Sequence, residues 1–300
     1  MSILSLQSVR KEYRNVLAVD DVSFEVPRGS MFGLLGPNGA GKTSLIRIIT
    51  SITMADSGSI TFNGEPLNSR HPERIGYLPE ERGLYKKMKV GDHLMYLAQL
   101  KGLSSKEAKS RIHALMDRFE IRDWWGKKVE ELSKGMQQKI QFIATIVHDP
   151  KLIILDEPFS GLDPINTNLI KDVIFELNRK GTTIIFSTHR MEQVEEICKY
   201  IVLINNGQNV LEGKVDEVKE AYKEGIFRLE FEGSLPADLN NKFEIIRDTD
   251  SDVLIKAKEV SPNELLKELL SRGIEIHSFQ EMKPSVNEIF IKKVNELSHV

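Results

Sequence analysis

The sequence predicts an α/β protein. A mostly parallel sheet forms its centre, flanked by an antiparallel β subdomain and a helical subdomain, and a small α+β domain follows at the C-terminus. Three observations predict this. Lys151–Leu155 (KLIIL), Thr182–Phe186 (TTIIF) and Tyr200–Ile204 (YIVLI) are near-continuous apolar runs, the pattern of strands buried on both faces. Between the first two, Ile165, Leu169, Ile170, Val173, Ile174 and Leu177 mark one apolar side of a helix, which gives a βαβ crossover. Gly36-Pro37-Asn38-Gly39-Ala40-Gly41-Lys42-Thr43 lies between a predicted short strand, Ser30–Leu35, and a predicted helix, Ser44–Thr50.

In chain order, Ile3–Val9 and Val22–Val26 alternate apolar and polar residues, and Pro27-Arg28-Gly29 closes that stretch. Ser59–Phe62 followed by Asn63-Gly64 predicts a hairpin. These pieces make the antiparallel subdomain. The helical subdomain is expected over residues 88–148. There Ser104-Ser105-Lys106-Glu107 opens a helix whose apolar face is Ala108, Ile112, Leu115, Met116 and Phe119. Met136, Ile140, Ile143, Ala144 and Val147 form the face of another. A helix over Glu192–Lys199 holds Cys198. After residue 222 the character changes: Phe227–Phe231, Asp252–Ile255 and Ile274–Phe279 read as strands, and Ser261-Pro262-Asn263-Glu264 caps a helix carrying Leu265, Leu266, Leu269 and Leu270. The expected domains are therefore 1–222 and 223–300.

With 300 residues, 40% hydrophobic and 28% charged, the chain has the composition of a soluble globular protein. A net charge of −3 gives no reason to expect nucleic acid as a partner. A single cysteine excludes an internal disulfide and fits a reducing compartment. No apolar run reaches the roughly 18 residues of a membrane span, and the N-terminus lacks the pattern of a secretory signal. If the protein works on a membrane, a partner must supply the spanning part.

The segment 36–43 fits G-x-x-x-x-G-K-[ST] in the context that gives the pattern meaning, a strand, a glycine-rich turn and a helix start. Glycines let backbone N–H groups wrap phosphates without Cβ clashes, and the helix N-terminus favours an anion. Gly36, Asn38, Gly39, Ala40, Gly41, Lys42, Thr43 and Ser44 are the candidate phosphate-binding residues. Lys42 would reach the β/γ-phosphates, and the Thr43 hydroxyl would hold Mg²⁺. Downstream, Leu152–Leu155 runs into Asp156-Glu157. In a phosphate-loop enzyme, Asp156 binds Mg²⁺ and Glu157 polarises an attacking water. Ser133, in LSKGMQQ, is a natural N-cap whose helix N-terminus can equally hold a phosphate.

In this order the motifs resemble those of the ATP-binding subunits of ATP-binding cassette (ABC) transporters, over roughly residues 1–220. Ser160-Gly161-Leu162-Asp163 resembles the family's D-loop, Ser187-Thr188-His189 its switch histidine, and Tyr13 its adenine-stacking aromatic. The resemblance implies a P-loop NTPase core that binds ATP and Mg²⁺. It implies that Tyr13 stacks the base, that Ser133 and the Gly135 backbone contact the γ-phosphate held by another copy, that Asp163 acts across the dimer, and that His189 contacts the γ-phosphate. It further implies a homodimer sandwiching two ATP molecules, paired with integral membrane permease subunits at the cytoplasmic face of the membrane.

Two departures stand out. LSKGM replaces the family's common LSGGQ, keeping Ser133 and Gly135 but exchanging a Gly for Lys134 and a Gln for Met136. Glu80, in GYLPEERGLY, stands where the family usually has Gln; it could ligate Mg²⁺ but, ionised, cannot donate a hydrogen bond. That segment and the C-terminal Pro284–Phe290 resemble the branch serving sodium efflux and drug export. The alternative, an ABC-type ATPase uncoupled from transport, is disfavoured. Residues 44–131 leave no room for the long coiled-coil insertion of DNA-repair relatives, and there is one cassette rather than two. A third reading, a degenerate cassette that binds ATP without turnover, is opposed by Lys42, Asp156, Glu157 and His189.

Overall fold

The structure is a computed structural model and describes residues 1–81, 83–232, 243–248, 252–257 and 261–298. It divides into two compact units, Met1–Val215 and Asp216–Val300.

The first unit begins with two long strands, β1 (Ser2–Tyr13) and β2 (Val16–Pro27), whose inward residues Leu4, Leu6, Val9, Val22, Phe24 and Val26 are almost fully buried. Next come β3 (Met31–Leu35), α1 (Lys42–Ile49), β4 (Ser57–Phe62), the two-residue β5 (Glu65–Pro66) and β6 (Ile75–Leu78). Three helices follow: α2 (Val90–Leu100), α3 (Ser105–Arg118) and α4 (Lys134–Ile146). Then β7 (Leu152–Asp156), α5 (Pro164–Arg179), β8 (Thr183–Thr188), α6 (Met191–Ile197), β9 (Tyr200–Asn205) and β10 (Gln208–Lys214) complete the unit.

These strands form two sheets. The antiparallel one has the order β2-β1-β4-β5, and the larger one runs β10-β9-β3-β8-β7-β6. In the larger sheet β9, β3, β8, β7 and β6 are parallel and only the edge strand β10 is antiparallel. Every residue of β3, β7 and β8 is buried, which is why their sequences are apolar rather than alternating. Burying each such Leu or Ile side chain contributes roughly 1.5–3 kcal/mol. The antiparallel sheet, α1 and one face of the parallel sheet share a single core that includes Leu6, Phe24, Ile46, Phe62, Leu152 and Ile185. The βα loops open at the C-terminal ends of β3 and β7, where an open α/β sheet places its ligands.

Four details depart from the sequence reading; one is Leu270, expected on the apolar side of the helix capped by Ser261 but 60% exposed. Ile165, expected on the apolar side of the crossover helix, is 81% exposed. It lies in the first turn of α5, just past the Asp163 cap, and the buried face starts only with Ile170, Val173 and Ile174. Strand β6, which the reading did not draw, pairs with β7 and closes the parallel sheet on that side. Cys198 falls one residue beyond α6 as its extended C-cap; it is buried, and burial pushes its thiol pKa up, so it is packing.

The second unit opens with α7 (Val215–Ala221) and β11 (Ile226–Glu232), followed by β12 (Phe243–Asp248), β13 (Asp252–Ala257), α8 (Pro262–Ser271), β14 (Glu275–Glu281) and α9 (Val286–Ser298). Its sheet is antiparallel with the order β12-β13-β11-β14. Alternate residues of β11 and β13, namely Leu229, Phe231, Val253 and Ile255, pack with Leu265 and Leu269 of α8 in a separate core.

Candidate active site

The loop after β3 is held by close backbone approaches. At Gly36 (φ 149°) a Cβ would lie 2.1 Å from the Ile204 carbonyl oxygen, and at Gly41 (φ 108°) 2.3 Å from that of Ala18. Only glycine fits either place. Gly41 is the N-cap of α1, and Leu45 N–H donates to its carbonyl at 3.0 Å. The loop is stitched to its surroundings as well: Gly207 N–H donates to the Ala40 carbonyl at 2.9 Å, and Asp20 N–H donates to the Gly207 carbonyl at 2.8 Å.

Lys42 is buried on the first turn of α1. Its ammonium folds back to donate to the carbonyls of Gly36 (2.7 Å) and Pro37 (2.9 Å). Burial pulls its pKa down, while Asp156, Glu157 and Glu80 pull the other way.

The acidic pair is positioned by the β7–β8 register, which sets Asp156 opposite Ser187. The Ser187 hydroxyl donates to Asp156 Oδ1 at 2.7 Å. Asp156 is only 4% exposed, and burial holds its carboxyl above the usual range despite that bond and the opposing Lys42. Glu157 follows with φ 49°, in the left-handed region that non-glycine residues rarely enter. The end of β8 holds it there. Glu157 N–H donates to the Ser187 carbonyl at 2.9 Å, and the Thr188 hydroxyl donates to Oε2 at 3.1 Å. His189 N–H donates to Oε1 at 2.9 Å, and the imidazole Nδ1 stands 2.6 Å from that same oxygen.

A cavity of about 520 Å³ gathers most of the sequence candidates. Asn38, Gly39, Ala40, Gly41, Lys42, Thr43, Ser44, Glu80, Asp156 and Glu157 line it, together with Val16–Ala18, Asn206 and Gly207. Sequence reasoning missed the last five. Asn206-Gly207 was readable as a turn, but its place beside the loop follows from the two backbone bonds just described. A second cavity of about 1050 Å³ shares Thr43, Glu80 and Asp156 with the first. Tyr13 lines this larger cavity rather than the smaller one, beside Arg47, with the Lys11 ammonium 5.4 Å from its ring centre. Tyr77 also faces it; burial pushes its phenol up to about 12, so the hydroxyl stays a neutral donor.

Ser133, Gly135 and Asp163 line neither cavity. Ser133 caps α4 by accepting Met136 N–H at 3.3 Å. Asp163 caps α5 by accepting Asn166 N–H at 2.9 Å, and this bond holds its carboxyl below the usual range. The two caps are tied through the segment between them, because Gln138 Nε2 donates to the Pro158 carbonyl at 3.1 Å. Both capping residues are exposed.

Thr43, Asp156 and Glu80 offer hard oxygen donors on one cavity wall, the chemistry that suits Mg²⁺. Among the described residues, no group of three or more His, Cys, Asp or Glu could hold a metal ion. The donor set fits an ion whose remaining ligands are phosphate oxygens and water.

Comparison with known proteins agrees with this geometry. A family model described as ABC transporter matches residues 19–160, and one described as ATP-binding protein DrrA1-3-like, C-terminal domain, matches residues 213–294. A model described as AAA domain, putative AbiEii toxin, Type IV TA system, matches residues 127–194. An uncharacterized ABC transporter ATP-binding protein, YhaQ of Bacillus subtilis (strain 168), is 43% identical over 97% of this chain and 98% of its own length. The linearmycin resistance ATP-binding protein LnrL of the same organism is 30% identical over 96% of this chain and 97% of its own. A solved structure of an ATP-binding subunit of an ABC transporter superposes with a TM-score of 0.69 at 31% identity, covering 74% of this chain and 93% of that one.

Proposed function

The chain belongs to the ABC transporter ATP-binding proteins, a family that hydrolyses ATP to power transport, and from that premise we propose that it is the ATPase of an exporter. The observation that carries export is the similarity to a resistance protein along nearly the whole chain, the C-terminal unit included. Resistance served by a transporter ATPase is most simply removal of the compound. Sodium or a drug such as an antibiotic is the substrate class we favour.

On this reading the loop from Asn38 to Ser44 cradles the phosphates, and Lys42 exchanges its own loop carbonyls for β/γ-phosphate oxygens. Thr43, Asp156 and Glu80 would hold Mg²⁺, which when bound offsets phosphate charge. Glu157 takes a proton from the attacking water as the water oxygen bonds to the γ-phosphorus. The bridging oxygen leaves toward ADP with the electrons of the broken bond. His189 keeps the Glu157 carboxylate aimed. Tyr13 stacks the base at the cavity's edge. Ser133, the Gly135 backbone and Asp163 act on the nucleotide of a second copy, so two chains enclose two ATP molecules. No helix among the described residues is long and apolar enough to cross a membrane. We assign the passage to permease subunits, with this chain at their cytoplasmic face.

The test is recovery of tagged Glu157→Gln from detergent-solubilised native membranes with Mg-ATP. A polytopic membrane protein in stoichiometric amount is expected. Cells lacking the chain should be more sensitive to sodium or to antibiotics, and wild type but not Glu157→Gln should restore them. A dimer with no membrane partner, from cells of unchanged sensitivity, would refute the export reading.

A further inference from the structure

The smaller cavity has an unusual charge balance. Its charged lining residues among those described are Lys42, Glu80, Asp156 and Glu157: one cation against three carboxylates. Arg47 belongs to the adjoining cavity, not to this one. The lone cation already donates to two carbonyls of its own loop.

The three carboxylates differ in how they are satisfied. Asp156 accepts a hydrogen bond from Ser187, and Glu157 accepts from Thr188 and His189. Glu80 has no hydrogen bond or ion pair among the described residues. Lys42, shared with the two other acids, attracts it across the cavity, and on the proposed reading Glu80 faces the place where a triphosphate would carry its most concentrated negative charge. Like charges in a partly enclosed site repel more strongly than in water. The acids also do not make a metal site by themselves.

We propose that Glu80 makes nucleotide binding depend on the divalent cation, so that the cavity rejects free ATP and admits the metal–ATP pair. The inference rests on the reading of this cavity as the ATP site. Glu80 would help hold the cation, whose charge would offset the repulsion between this carboxylate and the phosphates, as suits an ion that takes one or two carboxylates together with substrate phosphates. ADP lacks the γ-phosphate and should be less affected.

Equilibrium binding of ATP and ADP to the full chain, with excess magnesium and with EDTA, tests this. For wild type, chelation should weaken ATP binding at least about a hundredfold, and ADP binding less. In Glu80→Gln and Glu80→Ala the loss on chelation should shrink by about tenfold or more, because the charge is gone in both. Glu80→Asp keeps the charge and should follow wild type. Equal chelation ratios in wild type, Glu80→Gln and Glu80→Ala would overturn the inference while leaving the ATP site standing. No ATP binding by wild type even with excess magnesium would overturn the proposed function on which it rests.

Discussion

Glu157 Oε1 receives both the backbone N–H of His189 and a contact from its ring: the backbone bond is 2.9 Å and Nδ1 stands at 2.6 Å. One carboxylate oxygen is thus held from the end of β8 while the other takes the Thr188 hydroxyl at 3.1 Å. On the proposed function, Glu157 as general base and His189 as switch histidine work as one unit. Glu157→Gln keeps one oxygen for the His189 donors and turns an amide N–H toward the Thr188 hydroxyl, but cannot accept a proton from water. Phosphate release should fall at least about a hundredfold, with Mg-ATP affinity nearly unchanged. His189→Ala leaves the backbone and Thr188 bonds in place, so its loss should be smaller, roughly tenfold. Because both act through one proton acceptor, the double variant should be no slower than Glu157→Gln alone. Additive losses in that cycle would show that His189 works independently of Glu157.

Asp156 is buried at a site its nucleotide chemistry needs, at a cost to stability. Its folded pKa is raised above the ordinary 3.8, so the folded state holds the proton more tightly than the unfolded state. The stability this gives is fully present below that ordinary value and is lost as pH rises through the raised folded value. In metal-free, nucleotide-free buffer, the wild-type melting temperature should therefore decline across that window relative to Asp156→Asn. Near neutral pH the Asn variant should melt a few degrees higher, because Asn Oδ1 can still accept from Ser187 and no charge is buried. The same variant should lose magnesium-dependent hydrolysis. A wild-type melting curve parallel to that of the variant at all pH values would refute the argument.

The parts of the site set by local spacing were legible in the sequence. The phosphate loop with its helix, and the apolar strand that runs into Asp156-Glu157, are each one short continuous segment, and their patterns depend on neighbours only. Contacts set by register were not. Nothing in the spacing says that Ser187 faces Asp156 or that Glu157 must take a positive φ to meet His189; both follow from parallel pairing of β7 and β8. Strand β6 was lost because IGYL is short and carries a glycine, yet Gly76 is required where a Cβ would lie 2.4 Å from the Thr145 carbonyl. Ile165 misled for the opposite reason: its periodicity was correct, but a helix's first turn extends beyond the core it later joins.

Gly36 and Gly41 make a sharper prediction than the motif alone. Alanine at either place brings a Cβ to within 2.1 or 2.3 Å of a backbone oxygen, from Ile204 and Ala18 respectively, and neither strand end can swing away as a side chain could. Gly39 also has positive φ, at 80°, but a Cβ there meets nothing within 4 Å. Gly39→Ala should therefore cost only the backbone strain, about 1 kcal/mol, and retain measurable ATP binding. Gly36→Ala and Gly41→Ala should abolish ATP binding and lower thermal stability further. Equal losses in all three variants would mean that strain, not the close approach of backbone, sets the requirement.

The C-terminal unit has its own core, so its stability should be separable from that of the cassette. Helix α8 begins with a reciprocal cap: Glu264 N–H donates to Ser261 Oγ at 3.3 Å, and Ser261 N–H donates to Glu264 Oε2 at 3.2 Å. The helix then buries Leu265 and Leu269 against the sheet. Ser261→Ala should cost this unit about 1 kcal/mol and Leu265→Ala about 2–5 kcal/mol. Neither residue is among those that line the phosphate cavity, so phosphate release at saturating ATP should be unaltered while the unit stays folded. Scanning calorimetry of the full chain should resolve two transitions. Mg-ATP should raise the cassette's alone, because a ligand stabilises only what binds it, and Leu265→Ala should lower the other. A single transition moved by both changes would show instead that the two units unfold as one, and that the accessory unit contributes directly to the stability of the ATP site.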